Sequence, residues 1–372
     1  MAKLLMITGL GSARDLAQGR QGAFYQTLEE FHRYWERIDI IVPRCQPAVT
    51  ELFGNVFLHV SPWPLWLHLW WFIQMGKKIF KEQHFDLMTV QEFPPFYNGI
   101  AARWLGKLTR VPYVLELHHL PGFPRASSGK EIFYRLLTRW FLAYDAKPAK
   151  AVRVVNQTEV GALLRKFGLP ANKIAYIPSL YIDTELFRPL SLTKAYDLVW
   201  SGRMEKNKNL VNLLKAVAIA KHHNPQLRLL LIGQGGEKNK LAVLAQRLGL
   251  TDNIEFAGWL KTPGELVEKL NQAKIFINCS YNEGGPRNAV EALACGLALV
   301  TTPVGSMPDI ITDGVSGKFS GWSAPEIAAA IGQLLANKKQ QAKFAAAGPG
   351  LVQRFEKKAM IRNYATWLQS QI

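Results

Sequence analysis

The chain has 372 residues, 48% of them hydrophobic and 20% charged, which is enough length for two domains of ordinary size and excludes a disordered or low-complexity class. Its formal charge of +17 is shared by both halves and favours anionic partners: phosphorylated substrates, an acidic membrane face or nucleic acid. Nucleic acid ranks last, because no nucleic-acid-binding motif is present and the basic residues are dispersed.

In chain order, residues 3 to 8 read as a strand, and 9 to 22 as a loop rich in Gly and Arg. The opening MAKLLMITGLG has neither the apolar length nor the cleavage site of a signal peptide. Gly9 and Gly11 begin a GxGxxG-like string whose third position is Arg14, so the glycines serve a tight strand-to-helix turn rather than a dinucleotide fingerprint. Between Leu52 and Gly76 no Asp, Glu, Lys or Arg occurs, and two prolines and two histidines argue against a transmembrane helix. A helix is expected from about Pro64 to Lys81, with Trp66, Leu69, Trp70 and Ile73 on one side and Lys77, Lys78 and Lys81 at its end. Tryptophans beside lysines suit the interface of an anionic membrane, so 63–81 is read as a membrane-facing segment. Packing of the same tryptophans inside the domain is the other reading.

Residues 85–90 and 111–117 read as apolar strands with a helix between them, the alternation of parallel βαβ units. The second strand ends in His118 and His119; ligands of open α/β sheets bind beyond the carboxyl ends of strands, so the pair marks a candidate site. Zinc binding by the pair lacks a third ligand nearby in sequence. The cysteines, Cys45, Cys279 and Cys295, have no metal-ligand spacing and read as reduced thiols. After a strand at 151–155 and a helix at 158–167 comes the string KIAYIPSLYIDTELFRP.

The second domain opens with DLVWSGRMEKNKNLV, a strand ending at Ser201 and a turn through Gly202. Arg203 and Lys208, beside a helix start, make a diphosphate clamp of one planar fork and one point charge. A buried strand, LRLLLI, follows with Gly233 and Gly235 in its exit turn, and then NIEFAGWL. Residues 273–278 form the next strand, and the run to Val304 reads NCSYNEGGPRNAVEALACGLALVTTPV. Gly284 and Gly285 let backbone approach a ligand, and Pro286 stands near the first helical turn, where amide groups and the helix dipole favour an anion. Glu283 and Glu291 bracket this turn. On a helix their separation rises ~12 Å, beyond the ~5 to 9.5 Å that flank a scissile glycosidic bond, so they grip different parts of one elongated ligand. A helix at 324–336 and an amphipathic tail complete the chain.

The spacing of Glu283 and Glu291, with Gly-Gly-Pro after the first and Ala-Cys-Gly after the second, resembles the donor-site signature of retaining GT-B glycosyltransferases of the family-four group. Arg203 and Lys208 fit that family's Arg, Lys pattern, with Asn209 where glycine is commoner. Asn156 likewise replaces a more usual serine. The resemblance implies an α/β fold of two Rossmann-like domains facing across a cleft, 1–189 for the acceptor and 190–355 for the nucleotide sugar, with the final helix, 356–372, crossing back to the first. It assigns donor-sugar hydroxyls to Glu283, Gly284, Gly285, Pro286 and Arg287, the ribose to Glu291 and the base to Trp259 and Leu260, and of the two histidines it picks His118 as the one that faces the donor sugar. Gly11 and Gly233 join the donor set through their loops.

The expected reaction is transfer of a sugar from a UDP- or GDP-linked donor to a hydroxyl of a lipid-linked or cell-envelope saccharide, with retention and without a metal or other cofactor. The expected place is the inner face of the cytoplasmic membrane. The alternatives are a non-catalytic membrane or polyanion binder with a degenerate fold of this type, and a nucleotide-sugar epimerase or phosphorylase relative.

Overall fold

Most strands of this chain are continuous apolar runs without the alternation of a half-solvated sheet, the pattern of strands covered by helices on both faces. The computed structural model describes residues 1–372, the side chain of Leu10 excepted. It divides into two units: Met1–Pro121, Phe133–Tyr181 and Lys358–Ile372 form the first, and Gly122–Ile132 with Ile182–Lys357 the second.

The first unit is built on β1 (Lys3–Ile7), β2 (Arg37–Val42), β3 (Glu51–Leu52), β4 (Val56–Val60), β5 (Leu87–Gln91), β6 (Tyr113–Leu117), β7 (Ala151–Val154) and β8 (Ile174–Tyr176). Their order is β3-β4-β2-β1-β5-β6-β7-β8, with β3 antiparallel to β4 and the other pairs parallel. The order reverses direction between β1 and β5, which makes that seam a ligand crevice by topology. The terminal helix Lys357–Gln369 packs here: Ile361, Tyr364, Ala365 and Leu368 share a core with Leu4, Phe31 and Trp35.

In the second unit β9 (Tyr196–Ser201), β10 (Leu229–Ile232), β11 (Ile254–Gly258), β12 (Ala273–Asn278), β13 (Ala298–Thr301) and β14 (Lys318–Phe319) run parallel in the order β11-β10-β9-β12-β13-β14. This is the doubly wound order of a dinucleotide fold, and its switch point lies between β9 and β12.

The uncharged stretch from Leu52 splits into β4, a tight turn at Leu65–Leu67 and the helix His68–Gln83, so the helix starts later than Pro64. Ile73 does not share the outer side with Trp66 and Trp70. It is buried with Phe72, Gly76 and Ile79, because this face lies against the neighbouring helix Tyr97–Thr109, and a methyl group on Gly76 would strike Leu105. Trp66 and Trp70 remain 78% and 49% exposed.

Two buried carboxyls flank Gly99, where an added Cβ would collide with both Glu92 and Asp145. Glu92 accepts from the amides of Phe93 and Gly99, whereas neither oxygen of Asp145 has a partner. Burial pushes Asp145 up to about 8, and burial together with Asp145 pushes Glu92 well up. The folded chain therefore keeps a proton that the unfolded chain releases, so this contribution to stability is complete below pH ~4 and is lost as pH rises toward 8. Thermal melts from pH 5 to 9 should show Asp145→Asn losing less stability than the wild type across that window; parallel curves would remove Asp145 from the pH dependence.

Candidate active site

The second unit gathers its chemistry at the β9/β12 seam. After β9 the chain turns through Gly202 and Arg203 into the turn Lys206–Lys208, and Asn209 opens the helix Leu210–Lys221. Asn209 sits at φ 57°, ψ 29°, a left-handed conformation that Asn tolerates nearly as well as the glycine it replaces, and its side-chain amide donates to the Trp322 carbonyl at 2.9 Å. Gly233 and Gly235 bring the turn after β10 against this loop. A Cβ on Gly233 would collide with the Gly202 carbonyl and one on Gly235 with the backbone of Met204. The observed role of Gly233 is thus to let two strand-end loops touch.

Beyond β12, the Thr302 hydroxyl and the Trp322 indole both donate to the Ser280 carbonyl, at 2.7 and 2.9 Å. The Tyr281 amide donates to the Asn207 carbonyl at 2.8 Å, joining this loop to the one after β9. Glu283 is held at the centre, with its carboxylate 2.8 Å from the Ser280 hydroxyl and in an ion pair with Lys208. Both side chains are largely buried, 13% and 16% exposed. Gly305, at φ 54°, completes the packing, since a Cβ there would meet the Gly284 carbonyl.

A segment distant in sequence, Gly122–Ile132, belongs to this unit and braces the same loop. The Asn282 side-chain amide donates to the Arg125 carbonyl at 2.9 Å and to Glu131 at 3.0 Å, and Glu131 also accepts the Ser127 amide at 2.6 Å. The Arg125 guanidinium stands 5.8 Å from the Tyr281 ring and 5.6 Å from that of Trp322, within reach of a cation–π attraction. Sequence reading missed Arg125, Glu131, Ser280, Asn282 and Trp322. Of these, only Ser280 and Asn282 had a signal, as polar neighbours of Glu283.

The helix Arg287–Ala294 follows, with Pro286 at its amino-terminal cap and leading amides that have no partner within the helix. Asn288 ties it to the Ser201 carbonyl. Arg287 Nε donates to Glu291 at 2.9 Å; burial foremost raises the Glu291 carboxyl, with Arg287 opposing. Glu283 lies in the loop ahead of this helix, so a helical rise does not describe its separation from Glu291.

The seam therefore brings Lys208, Glu283, Gly284, Gly285, Pro286, Arg287 and Glu291 into two adjoining loops and one helix start. Arg203 is exposed on the rim of the first loop. Trp259 and Leu260 follow β11, two strands from β9, and Trp259 is exposed. Cys279 and Cys295 are buried and free, with burial pushing both thiols up to about 12.

His118 and Gly11 belong to the first unit. Gly11 is exposed in the helix Leu10–Ala17, and nothing lies within 4 Å of a Cβ added there. His118 follows β6 and is oriented by Glu116, whose carboxylate is 2.9 Å from Nε2. That contact puts the proton of the neutral ring on Nε2 and leaves Nδ1 as the acceptor. Glu116 in turn is held by Arg153 at 2.7 Å, by the Tyr364 and Thr89 hydroxyls, and far below the usual carboxylate range by Arg153 and His118 against the cost of burial.

Comparison with known proteins agrees with this arrangement. A family model described as "Glycosyl transferases group 1" matches residues 182–350, and a "Glycosyl transferase 4-like domain" model matches 20–179. The D-inositol 3-phosphate glycosyltransferase of Segniliparus rotundus is 29% identical over 216 residues, 54% of this chain and 47% of that protein. The chain spans about half to two thirds of the length of the curated relatives it matches. Sucrose-phosphate synthase from Thermosynechococcus elongatus superposes with a TM-score of 0.82 at 19% identity, covering 100% of this chain and 99% of that one. HepE of Anabaena, solved in complex with UDP and glucose, superposes at 0.74 and 17% identity with 100% of both chains covered. At such identities these structures establish the fold, two Rossmann-like domains of the GT-B type. The chain belongs to the group 1 glycosyltransferases of the GT-B fold.

Proposed function

We propose that this protein transfers a hexosyl group, with retention of configuration, from a UDP- or GDP-linked sugar to a hydroxyl of a lipid-linked or cell-envelope saccharide at an anionic membrane surface. The observation that carries the reading is the Lys208–Glu283 pair at the β9/β12 seam, beside a glycine-flanked helix start. A lone carboxylate would repel a diphosphate; one neutralised by a lysine can accept sugar hydroxyls next to it. HepE, solved with UDP and glucose, supports UDP among the donors.

In this mechanism the bond between the anomeric carbon and the diphosphate oxygen breaks, and the nucleoside diphosphate leaves. The acceptor oxygen bonds to the same face of that carbon and gives its proton to the departing phosphate. Lys208, the exposed Arg203, and the amides at Gly284, Gly285 and Arg287 stabilise the charge on the leaving oxygens. They supply the counter-charge without a metal ion. Glu283 accepts hydroxyls of the transferred sugar, Glu291 takes the ribose, Trp259 with Leu260 the base, and His118 Nδ1 is a further acceptor on the first unit.

Membrane attachment has its own support. Trp70 meets Trp104 edge-on at 6.2 Å, and Trp104 Nε1 donates to the Tyr144 hydroxyl at 3.2 Å, so three helices, His68–Gln83, Tyr97–Thr109 and Gly129–Ala146, share one apolar face. Leu108, Leu136 and Trp140 are exposed on these helices and Trp66 in the turn just before the first, and the helices also carry Lys77, Lys78, Lys107, Arg135 and Arg139. Among the described residues, no helix is long and apolar enough to cross a membrane. Peripheral contact at the inner face of the cytoplasmic membrane fits this surface.

The test is product formation from labelled nucleoside-diphosphate sugars with acceptors presented on anionic vesicles. Transfer that persists in EDTA and gives the retained anomer is expected; an epimerised donor without transfer would refute the reading. In flotation, the Trp66→Ser, Trp70→Ser, Trp140→Ser triple variant should bind the same vesicles at least tenfold more weakly, and unchanged binding removes the membrane claim.

A further inference from the structure

Neither contact of the Glu283 carboxylate fixes where it stands. Ser280 belongs to the same loop, and Lys208 carries its ammonium on a flexible stem that can follow a displaced carboxylate. The fixed points lie in the residues just ahead of it. The Ser280 carbonyl accepts from Thr302 and Trp322, and the Tyr281 amide donates to the Asn207 carbonyl. Asn282 comes next, 0% exposed, with its side-chain amide donating to the Arg125 carbonyl at 2.9 Å and to Glu131 at 3.0 Å. Glu283 is one peptide bond further on, so a shift at Asn282 passes directly to it.

The acceptors of that amide are themselves built to stay in place. Glu131 lies in the first turn of the helix Gly129–Ala146, where the helix dipole favours a carboxylate, and the oxygen that takes Asn282 also takes the Ser127 amide at 2.6 Å. The Ile132 amide donates to the Ser128 carbonyl at 3.2 Å, and Gly122, at φ 88°, lies so close to the Glu131 carbonyl that a Cβ would collide with it. Residues 122–132 therefore close on themselves and present a preformed pair, one carbonyl and one carboxylate, to one buried amide. Asparagine suits the place, because a single nitrogen on a short stem supplies two N–H donors. Without these acceptors the buried amide would lose its hydrogen bonds, and the loop would shift to hydrate it.

We propose that Asn282 and Glu131 act together as positioning residues for Glu283: the segment 122–132 sets where the carboxylate stands, and through it the rate of sugar transfer, without touching substrate. The hold on the loop needs only the fold; its effect on transfer rests on the transferase reading above.

A double-mutant cycle on the full-length protein tests this, with Asn282→Ala, Glu131→Ala and the two combined. The readouts are hydrogen exchange of the backbone amides at 280–287, melting temperature, and kcat per folded molecule for release of sugar from UDP-glucose and GDP-glucose, which needs no acceptor. Asn282 is fully buried, so Glu131→Ala, at a half-buried residue, tests the same contact from its other end where the first variant loses its fold. Each single variant should speed exchange at Gly284 and Gly285 and lower kcat ~10- to 100-fold, the scale of a displaced reacting geometry, and the double variant should be no slower than the worse single one. Exchange unchanged in both singles overturns the proposal. Faster exchange with kcat unchanged overturns it too, leaving a contact that serves stability alone, and so do losses of kcat that simply add. A wild type that turns over neither donor would instead count against the transferase reading, and the exchange at Gly284 and Gly285 would then decide whether the segment holds the loop.

Discussion

Glu283→Gln should all but abolish sugar transfer, with kcat/KM falling ~10²- to 10³-fold, while the chain stays folded. The carboxylate is the acceptor that Lys208 and Ser280 hold in place, and an amide cannot neutralise Lys208 or accept through both oxygens. Losing one preorganised electrostatic contact in a closed site typically costs ~3–4 kcal/mol of barrier, which gives the fold-change. The structural cost is smaller. Lys208 is 16% exposed and its long stem can carry the ammonium to water, so the unpaired charge does not stay buried. Glu283→Ala should lose transfer equally, and the Lys208→Met variant should lose donor binding as well as turnover. Full turnover in either Glu283 variant refutes the role.

The largest loss of stability should come from Arg153→Leu in the first unit, ~3–5 kcal/mol by urea denaturation, because it strands the Glu116 carboxylate in the core. Arg153 is 1% exposed; it gives Nη1 to Glu116 at 2.7 Å, Nε to the Ile177 carbonyl at 3.0 Å and Nη2 to the Pro178 carbonyl and the Tyr181 hydroxyl, both at 3.2 Å. Its guanidinium also lies 3.9 Å from the Tyr364 ring, so one side chain ties β6, β7, the chain after β8 and the terminal helix. The pH dependence carries a signature. Glu116 is depressed in the wild type, so its contribution is present above the ordinary carboxylate pKa of ~4.3 and is lost as pH falls below it. Without Arg153 the carboxyl protonates readily, and the deficit of the variant should shrink in acid. A deficit under ~1 kcal/mol at pH 7, or one independent of pH, would show that the cluster is not what holds these elements. Turnover should fall too, since Glu116 orients His118.

How much of this was legible varies with how local the cause is. The strand Ala273–Asn278 and the helix Ala324–Ala336 fall where their apolar patterns place them, the latter because Ser323 and Glu326 form a capping box around Pro325. The loop of Glu283 was legible because its residues are contiguous and each has a backbone reason to be there. Two departures from the family pattern resolve into local physics: Asn209 supplies the left-handed turn, and Asn156 caps the next helical segment by accepting the Val160 amide at 2.6 Å. What escaped is non-local. β2 and β4 were not legible, β4 because it lies inside an uncharged run with no charged residue that sets a strand apart from the helix after it. Ile73 was grouped on one side with Trp66 and Trp70 because helical spacing says which residues share a side and not which neighbour will cover them. The brace from Arg125 and Glu131 onto Asn282 joins residues about 150 positions apart, and no spacing rule reaches that far.

The decisive measurement is the crystallographic position of uridine diphosphate bound to this chain. Its β-phosphate is expected within hydrogen-bond distance of Lys208 Nζ and of backbone amides at Gly284 and Gly285, ahead of the helix that starts at Arg287. A diphosphate seated away from the β9/β12 seam, with Lys208 and Glu283 untouched, would contradict the assignment.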